Sequence, residues 1–232
     1  MISIYDQSVE LIRKIYDKRI TTPAVLESAA YFPHAHSFVD RWETLRQEAL
    51  RVANNIQAVP RFHELLPSQA EISANDDRDW RMFVLKAYGV VIPQNMVQCP
   101  SLAALIGAAP EVLSATLSYL APGKHIPQHR GPFRGVIRFY LGLSVATAAD
   151  NRPSTVLMLN GVEHLIGNGG SLLWDDTFPH EVWNNSDTTR IALLLDIRRC
   201  GMPRDLTVLS RLLIGAAGTA VRCKNFKSRR VQ

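Results

Sequence analysis

The feature that most constrains this chain is a change of texture at Trp80. Upstream, apolar residues recur at helical spacing; downstream they gather into short runs cut apart by Gly, Pro, Asn and Asp. After MFVLKAYGVVI and a brief helical stretch at 101–106, such runs occupy 113–120, 135–145, 154–159, 170–174 and 190–197. They are rich in Leu, β-branched and aromatic residues, and no long amphipathic helix separates one from the next. Short strands in this succession predict an all-β sandwich or barrel and argue against alternating βα units.

Helical periodicity dominates the first third of the chain. Val9, Leu11, Ile12, Ile15 and Tyr16 share one face, and Phe38, Trp42, Leu45, Ala49, Val52 and Ile56 repeat at three and four residues over 37–56. These segments predict a helical layer over 1–70, packed on a β core spanning 71–203. From 204 to 232 the sequence is apolar first and basic last, which leaves two readings: an amphipathic helix packed on the domain, or a peripheral anchor on an anionic membrane.

The 232 residues carry 26 Lys+Arg against 21 Asp+Glu, a formal net charge of +5. Position matters more than the total. The segment from Arg204 onward holds seven bases (Arg204, Arg211, Arg222, Lys224, Lys227, Arg229, Arg230) and one acid, Asp205, leaving 19 bases and 20 acids elsewhere. A body so near neutrality does not predict a nucleic-acid partner. With 47% hydrophobic residues, the chain also falls outside the disordered and low-complexity classes. Cys99, Cys200 and Cys223 are odd in number and lack CxxC spacing, so neither a disulfide framework nor a structural zinc site is expected. Charges interrupt the N-terminal segment, and no window reaches 18 uninterrupted apolar residues, so no spanning helix is expected. The expected location is cytoplasmic, with membrane association through the basic end as the alternative.

Chemistry concentrates between Ser118 and Arg190. His125 and His129 sit in PGKHIPQHRGP, bracketed by turn residues, and His180 follows in LLWDDTFPHEV. Arg190 then opens the apolar run IALLL. A guanidinium at the head of a buried strand needs a carboxylate partner, and a bound dicarboxylate would supply one. Two imidazoles on neighbouring strands can hold Fe(II) from one side and leave positions open for a chelating co-substrate and dioxygen. An arginine about ten residues after the second histidine is placed to take that co-substrate's far carboxylate through a bidentate pair. This is the arrangement of a 2-oxoglutarate oxygenase.

Several words in the same order carry a closer resemblance: APG at 121–123, HRGP at 129–132, RFYLGL at 138–143, DDTFPHEV at 175–182, and Arg190 with Asp196. The stretch 118–196 resembles the aspartyl/asparaginyl β-hydroxylase family of Fe(II)/2-oxoglutarate oxygenases, which includes bacterial lipid A acyl 2-hydroxylases. The resemblance implies a mainly β double-stranded β-helix (jelly roll) flanked by the N-terminal helices. It implies His129 and His180 as iron ligands, and Ser118 and Arg190 at the distal carboxylate of 2-oxoglutarate. Arg138 would lie near the proximal carboxylate. Gly131 stands where most of the superfamily carries an acidic third ligand, as it does in this family, so water would fill that position and Asp176 would orient it.

Two departures bear on specificity. Tyr140 stands where the family usually has a histidine, and Val136 where the animal peptide hydroxylases have an arginine that grips an acidic side chain. The implied reaction is hydroxylation of a C–H near a carbonyl, using O2 and releasing succinate and CO2. The expected substrate is an amino-acid or peptidyl residue or a related small molecule, with a lipid A-type fatty acyl chain at a membrane surface as the alternative. A non-catalytic jelly roll sensing a metal and a carboxylate is the alternative of a different class. The remaining histidines, His34, His36, His63, His125 and His164, read as ordinary surface, loop or structural residues. Asp175 reads as a brace for the turn before His180, and Trp174 and Trp183 as core packing.

Overall fold

The computed structural model describes residues 4–223; Lys224, Lys227, Arg229 and Arg230 of the expected basic end lie outside them. The helices are α1 (Ile4–Asp17), α2 (Ser28–Tyr31), α3 (Ala35–Val39), α4 (Trp42–Ala53), α5 (Phe62–Leu65), α6 (Pro93–Met96), α7 (Pro100–Ala108) and α8 (Arg204–Cys223). The strands are β1 (Trp80–Ala87), β2 (Val90–Val91), β3 (Val112–Leu120), β4 (His125–His129), β5 (Val136–Ser144), β6 (Thr155–Leu159), β7 (Val162–Leu165), β8 (Ser171–Trp174), β9 (His180–Asn184) and β10 (Arg190–Arg198). They form two antiparallel sheets, ordered β2-β1-β3-β10-β5-β8 and β4-β9-β6-β7. The chain is thus the jelly roll that the sequence implies.

Why the strands lack simple alternation follows from what covers them. Every residue of β3 is buried, and β10 and β5 are nearly so, because both faces of the larger sheet are covered. Its outer face carries Phe83, Leu117, Phe139, Leu141 and Leu193 against Phe32, Phe38, Leu45, Ala49 and Val52 of the N-terminal helices and Leu102 of α7. Each such side chain contributes about 1.5–3 kcal/mol of transfer free energy. The inner face turns toward the smaller sheet and is less uniformly apolar, with Ser118, Arg138 and Tyr140 among its residues.

The helix expected over 37–56 is two helices. Arg41, at φ −112° and ψ 15°, leaves the helical region and separates α3 from α4. No side chain caps the break, and both pieces still bury apolar faces. One contact of α4 ties two helices together: Glu48, buried in α4, accepts hydrogen bonds from the backbone N–H groups of Ser101 (2.8 Å) and Leu102 (3.1 Å) in the first turn of α7. It thereby satisfies donors that no intrahelical carbonyl can reach. Arg51 lies 3.9 Å from the same carboxylate. Glu48→Ala should therefore lower the unfolding free energy by about 2–4 kcal/mol, since it strands two buried donors. Urea denaturation followed by circular dichroism checks this, and an unchanged midpoint would refute the capping role.

Candidate active site

A bulge sets the geometry. Along β4 and β9 the register runs Ile126↔Val182 and then His129↔His180, so three steps on β4 answer two on β9. The extra residue re-aims the strand. Ile126 already faces the interior, so unbroken alternation would have pointed Gln128 inward and His129 out. The bulge instead brings both histidines to one side, with ring centroids 4.1 Å apart. Pro127 sits at the bulge on an edge strand, where its missing N–H costs no ladder hydrogen bond.

The two imidazoles are held alike. His129 Nδ1 lies 2.8 Å from the Pro127 carbonyl and His180 Nδ1 2.9 Å from the Phe178 carbonyl. A carbonyl can only accept, so each Nδ1 carries the proton and each Nε2 keeps its lone pair. Burial pulls both well below the ordinary range, His129 to about 4 and His180 to about 3. Both rings are neutral near pH 7, the state a metal requires of a ligand. Among the described residues no group of three or more His, Cys, Asp or Glu converges to hold a metal, so these donors form a pair.

Asp176 fills the place where a third ligand would project. A Cβ built on Gly131 would lie 2.1 Å from Asp176 Oδ1, and the Gly131 N–H donates to the Asp176 carbonyl at 2.6 Å. The two residues occupy one volume, and only glycine leaves room for the carboxylate. Asp176 Oδ1 is buried without a hydrogen-bond partner, and Oδ2 lies 3.4 Å from Arg138 Nη2. Burial pushes this carboxyl up to about 6 against the pull of Arg138. The turn itself is anchored by Asp175, which is fully buried and accepts from Arg134 Nε (2.8 Å), Arg199 Nη2, and the N–H and hydroxyl of Thr177. Asp175 is thus the brace expected of it.

The two arginines of the inner face differ sharply. Arg138 donates through Nε and Nη2 to Asp196 at 3.0 and 2.8 Å, so its charge is matched by Asp196 and Asp176. Arg190 is buried with no carboxylate partner among the described residues. It reaches Ser118 Oγ at 3.4 Å, and its Nε is unpaired. Burial lowers its pKa, opposed by the Tyr140 ring beneath it. Trp80 Nε1 also donates to Ser118 Oγ, at 3.0 Å. With two donors aimed at its oxygen, the Ser118 hydroxyl proton is free to be donated onward.

Trp80, Ser118, His129, Arg138, Tyr140, His180 and Arg190 line one cleft between the sheets, with about 550 Å³ of space including the part open to solvent. The walls include Ile126, Leu157, Ile166, Val182 and Leu194. Four further polar groups face it without a partner: Tyr140 Oη, Thr155 Oγ1, Trp174 Nε1 and His164 Nε2. The last two correct the sequence reading. Trp174 does not merely pack in the core, and His164 is no ordinary surface or loop residue. On β7, His164 pairs with Leu157 of β6, whose side chain is also on the cleft wall. No motif surrounds His164, and only the β6–β7 register brings it inward. Trp183 stacks on His125, which pairs with Glu181 at 3.2 Å, outside the cleft lining. His34 contacts Glu111 and His63 contacts Ser73. Val136 is buried among Phe133, Leu206 and Ile214, not on the cleft wall.

The chain is 34% identical over 178 residues to an ornithine lipid ester-linked acyl 2-hydroxylase of Rhizobium tropici, covering 77% of this chain and 61% of that one. It is 28% identical over 141 residues to aspartate beta-hydroxylase domain-containing protein 2 of Homo sapiens, covering 57% of this chain and 37% of that one. The chain therefore spans about a third to three fifths of the length of these relatives. Among solved structures, a predicted oxalate decarboxylase of Thermotoga maritima aligns with 56% of this chain and 96% of its own at 16% identity, with a TM-score of 0.34. The model of the aspartyl/asparaginyl beta-hydroxylase family matches residues 39–200, which take in the N-terminal helix α4 and both sheets, and the chain belongs to that family of hydroxylases.

Proposed function

We propose that the protein is an Fe(II)- and 2-oxoglutarate-dependent hydroxylase acting on a lipid-linked fatty acyl chain next to its carbonyl. The observation that carries the reading is that two neutral imidazoles and a buried, carboxylate-free arginine line one cleft. His129 Nε2 and His180 Nε2 would hold the metal. Arg190 and Ser118 would receive the distal carboxylate of 2-oxoglutarate, which would repair the cost of burying Arg190 unpaired. The orphaned polar atoms of the cleft fit such a guest, since native proteins leave few buried groups unsatisfied without reason. When bound, the metal and its co-substrate supply a two-electron oxidation: R–H, O2 and 2-oxoglutarate give R–OH, succinate and CO2.

The chain's own residues do the rest. The Arg138–Asp196–Asp176 cluster sets one cation between two carboxylates beside the imidazoles, and Asp176 Oδ1 would accept a hydrogen bond from water beside Gly131. The apolar walls exclude bulk water and suit a hydrocarbon. Tyr140, Trp174 and His164 present hydrogen-bonding atoms that would fix a carbonyl of the substrate. An acyl substrate is favoured over an acidic peptide side chain on two grounds: the 34% identity to an acyl 2-hydroxylase, and Val136, whose burial away from the cleft supplies no cation for such a group. Membership of a hydroxylase family also weighs against the sensor reading.

Succinate formation with Fe(II), 2-oxoglutarate and detergent-dispersed ornithine lipid tests the proposal; turnover with an acidic peptide and none with lipid would overturn the acyl assignment. His129→Ala and His180→Ala should each abolish turnover and weaken Mn(II) binding measured without co-substrate. Arg190→Ala should raise the KM for 2-oxoglutarate by about 30-fold or more, the equivalent of losing a buried charge-assisted contact. A wild-type value would sink that role. His164→Ala should raise the lipid KM while leaving the 2-oxoglutarate KM near wild type; a change in the second alone would move His164 to the co-substrate.

A further inference from the structure

α1 and α8 pack side by side on the outside of the barrel. Tyr16 Oη shares a 2.7 Å hydrogen bond with Ser210 Oγ and donates to the Leu206 carbonyl at 3.4 Å, and Arg19 pairs with Asp205. Contacts step down α1 as they step up α8, so the helices are antiparallel. The inner face of α8 is committed to the protein. Leu206, Ser210, Ile214 and Gly218 are buried, and a Cβ on Gly218 would meet the Tyr88 carbonyl at 2.8 Å.

The outer faces are unusual for a water-facing surface. Leu11 is 62% exposed, Ile15 40%, Val208 55% and Leu212 66%. Leu11 and Ile15 of α1 and Arg19 just past its end follow one another at four-residue spacing. On α8, Asp205, Val208 and Leu212 share a face at three- and four-residue spacing. The Arg19–Asp205 pair therefore marks where the two apolar stripes meet. Bases occupy the outer edges. Lys14 on α1 and Lys18 just past its end are four residues apart; Arg204, Arg211 and Arg222 align along α8 at about 100° per residue, and all five are exposed. Among the acids of these helices whose side chains are described, Glu10 pairs with Arg13, Asp17 with Arg134, and Asp205 with Arg19.

We propose that this two-helix face docks on an anionic lipid bilayer, with Leu11, Ile15, Val208 and Leu212 entering the interface and the basic edges meeting lipid phosphates. The proposal deepens the acyl-hydroxylase reading and rests on it for its purpose. Arg13 on α1 donates to the carbonyls of Gly131 (2.9 Å) and Arg130 (3.0 Å), so the docking face is tied directly to the loop that follows His129. A bilayer suits the charge pattern better than a second copy of the chain, because both edges are basic and self-association would oppose like charges. Contrary to the expectation from uninterrupted apolar runs, α8 is by length and composition long and apolar enough to cross a membrane, yet its buried face is already occupied by the barrel.

The full-length protein, without iron or 2-oxoglutarate, is mixed with sedimentable vesicles of equal parts phosphatidylglycerol and phosphatidylcholine, or of phosphatidylcholine alone. Wild type should pellet with the anionic vesicles and be released by high salt or alkaline carbonate. Leu11→Glu with Leu212→Glu, and separately Lys14→Glu with Arg211→Glu, should each weaken partitioning by about tenfold or more. The bases at 224, 227, 229 and 230 stay in place throughout, and an unchanged melting temperature shows the exposed substitutions are harmless to the fold. The proposal is overturned if wild type does not pellet, if the variants pellet equally, if carbonate fails to release the protein, or if the wild type is a dimer that the variants dissolve. Lost vesicle binding in wild type with turnover on detergent-dispersed lipid would remove the docking alone. Retained binding without lipid turnover would remove the acyl-substrate reading alone.

Discussion

The buried carboxylate of Asp175 is the contact on which the site depends. It gathers Arg134 from the loop before β5, Arg199 from just beyond β10, and the Thr177 turn that leads into β9. Arg134 in turn donates to the Ile20 carbonyl and Arg199 to Thr22 Oγ1, which ties the segment after α1 to the same point. Two guanidiniums around one fully desolvated carboxylate hold their place only while all three are present. Removal of one partner of such a buried pair costs about 3–5 kcal/mol because the others remain charged. Asp176, next in sequence, is aimed by this anchor, and so is His180 four residues on.

Charge then divides the interior into two environments. Arg138, partly exposed, faces two carboxylates beside the imidazoles. Arg190, more deeply buried, has a serine and an aromatic ring for company. A fold does not ordinarily leave a guanidinium in that state, so the asymmetry is itself the strongest mark of a guest with a carboxylate. The apolar surfaces make a similar division. The face of the large sheet under the N-terminal helices is closed, while the face of α1 and α8 remains uncovered.

Much of this was legible in the sequence because it depends on local pattern. Gly, Pro, Asn and Asp punctuate the strands, the N-terminal helices show their period, and Arg190 draws attention by opening a buried run. Other features depend on register, which local pattern does not report. The bulge at Pro127–Gln128 decides that His129 faces inward, yet the same letters in an unbroken strand would point it out. His164 has no neighbours that announce a site and becomes a cleft residue only through its pairing opposite Leu157. Trp174 and Trp183 flank one motif and read alike, but the first lines the cleft and the second stacks on His125. The split between α3 and α4 lay hidden because apolar spacing continues across it.

The shared volume of Gly131 and Asp176 has a consequence for how this lineage can change. A carboxylate ligand introduced at 131 would collide with the one already standing there, and loss of Asp176 alone would leave a hole beside the imidazoles with nothing to fill it. Each single step passes through a damaged intermediate, although the exchanged pair could be sound. A carboxylate at 131 therefore requires a second, coupled change at 176, because Gly131 is the residue that leaves room for its neighbour.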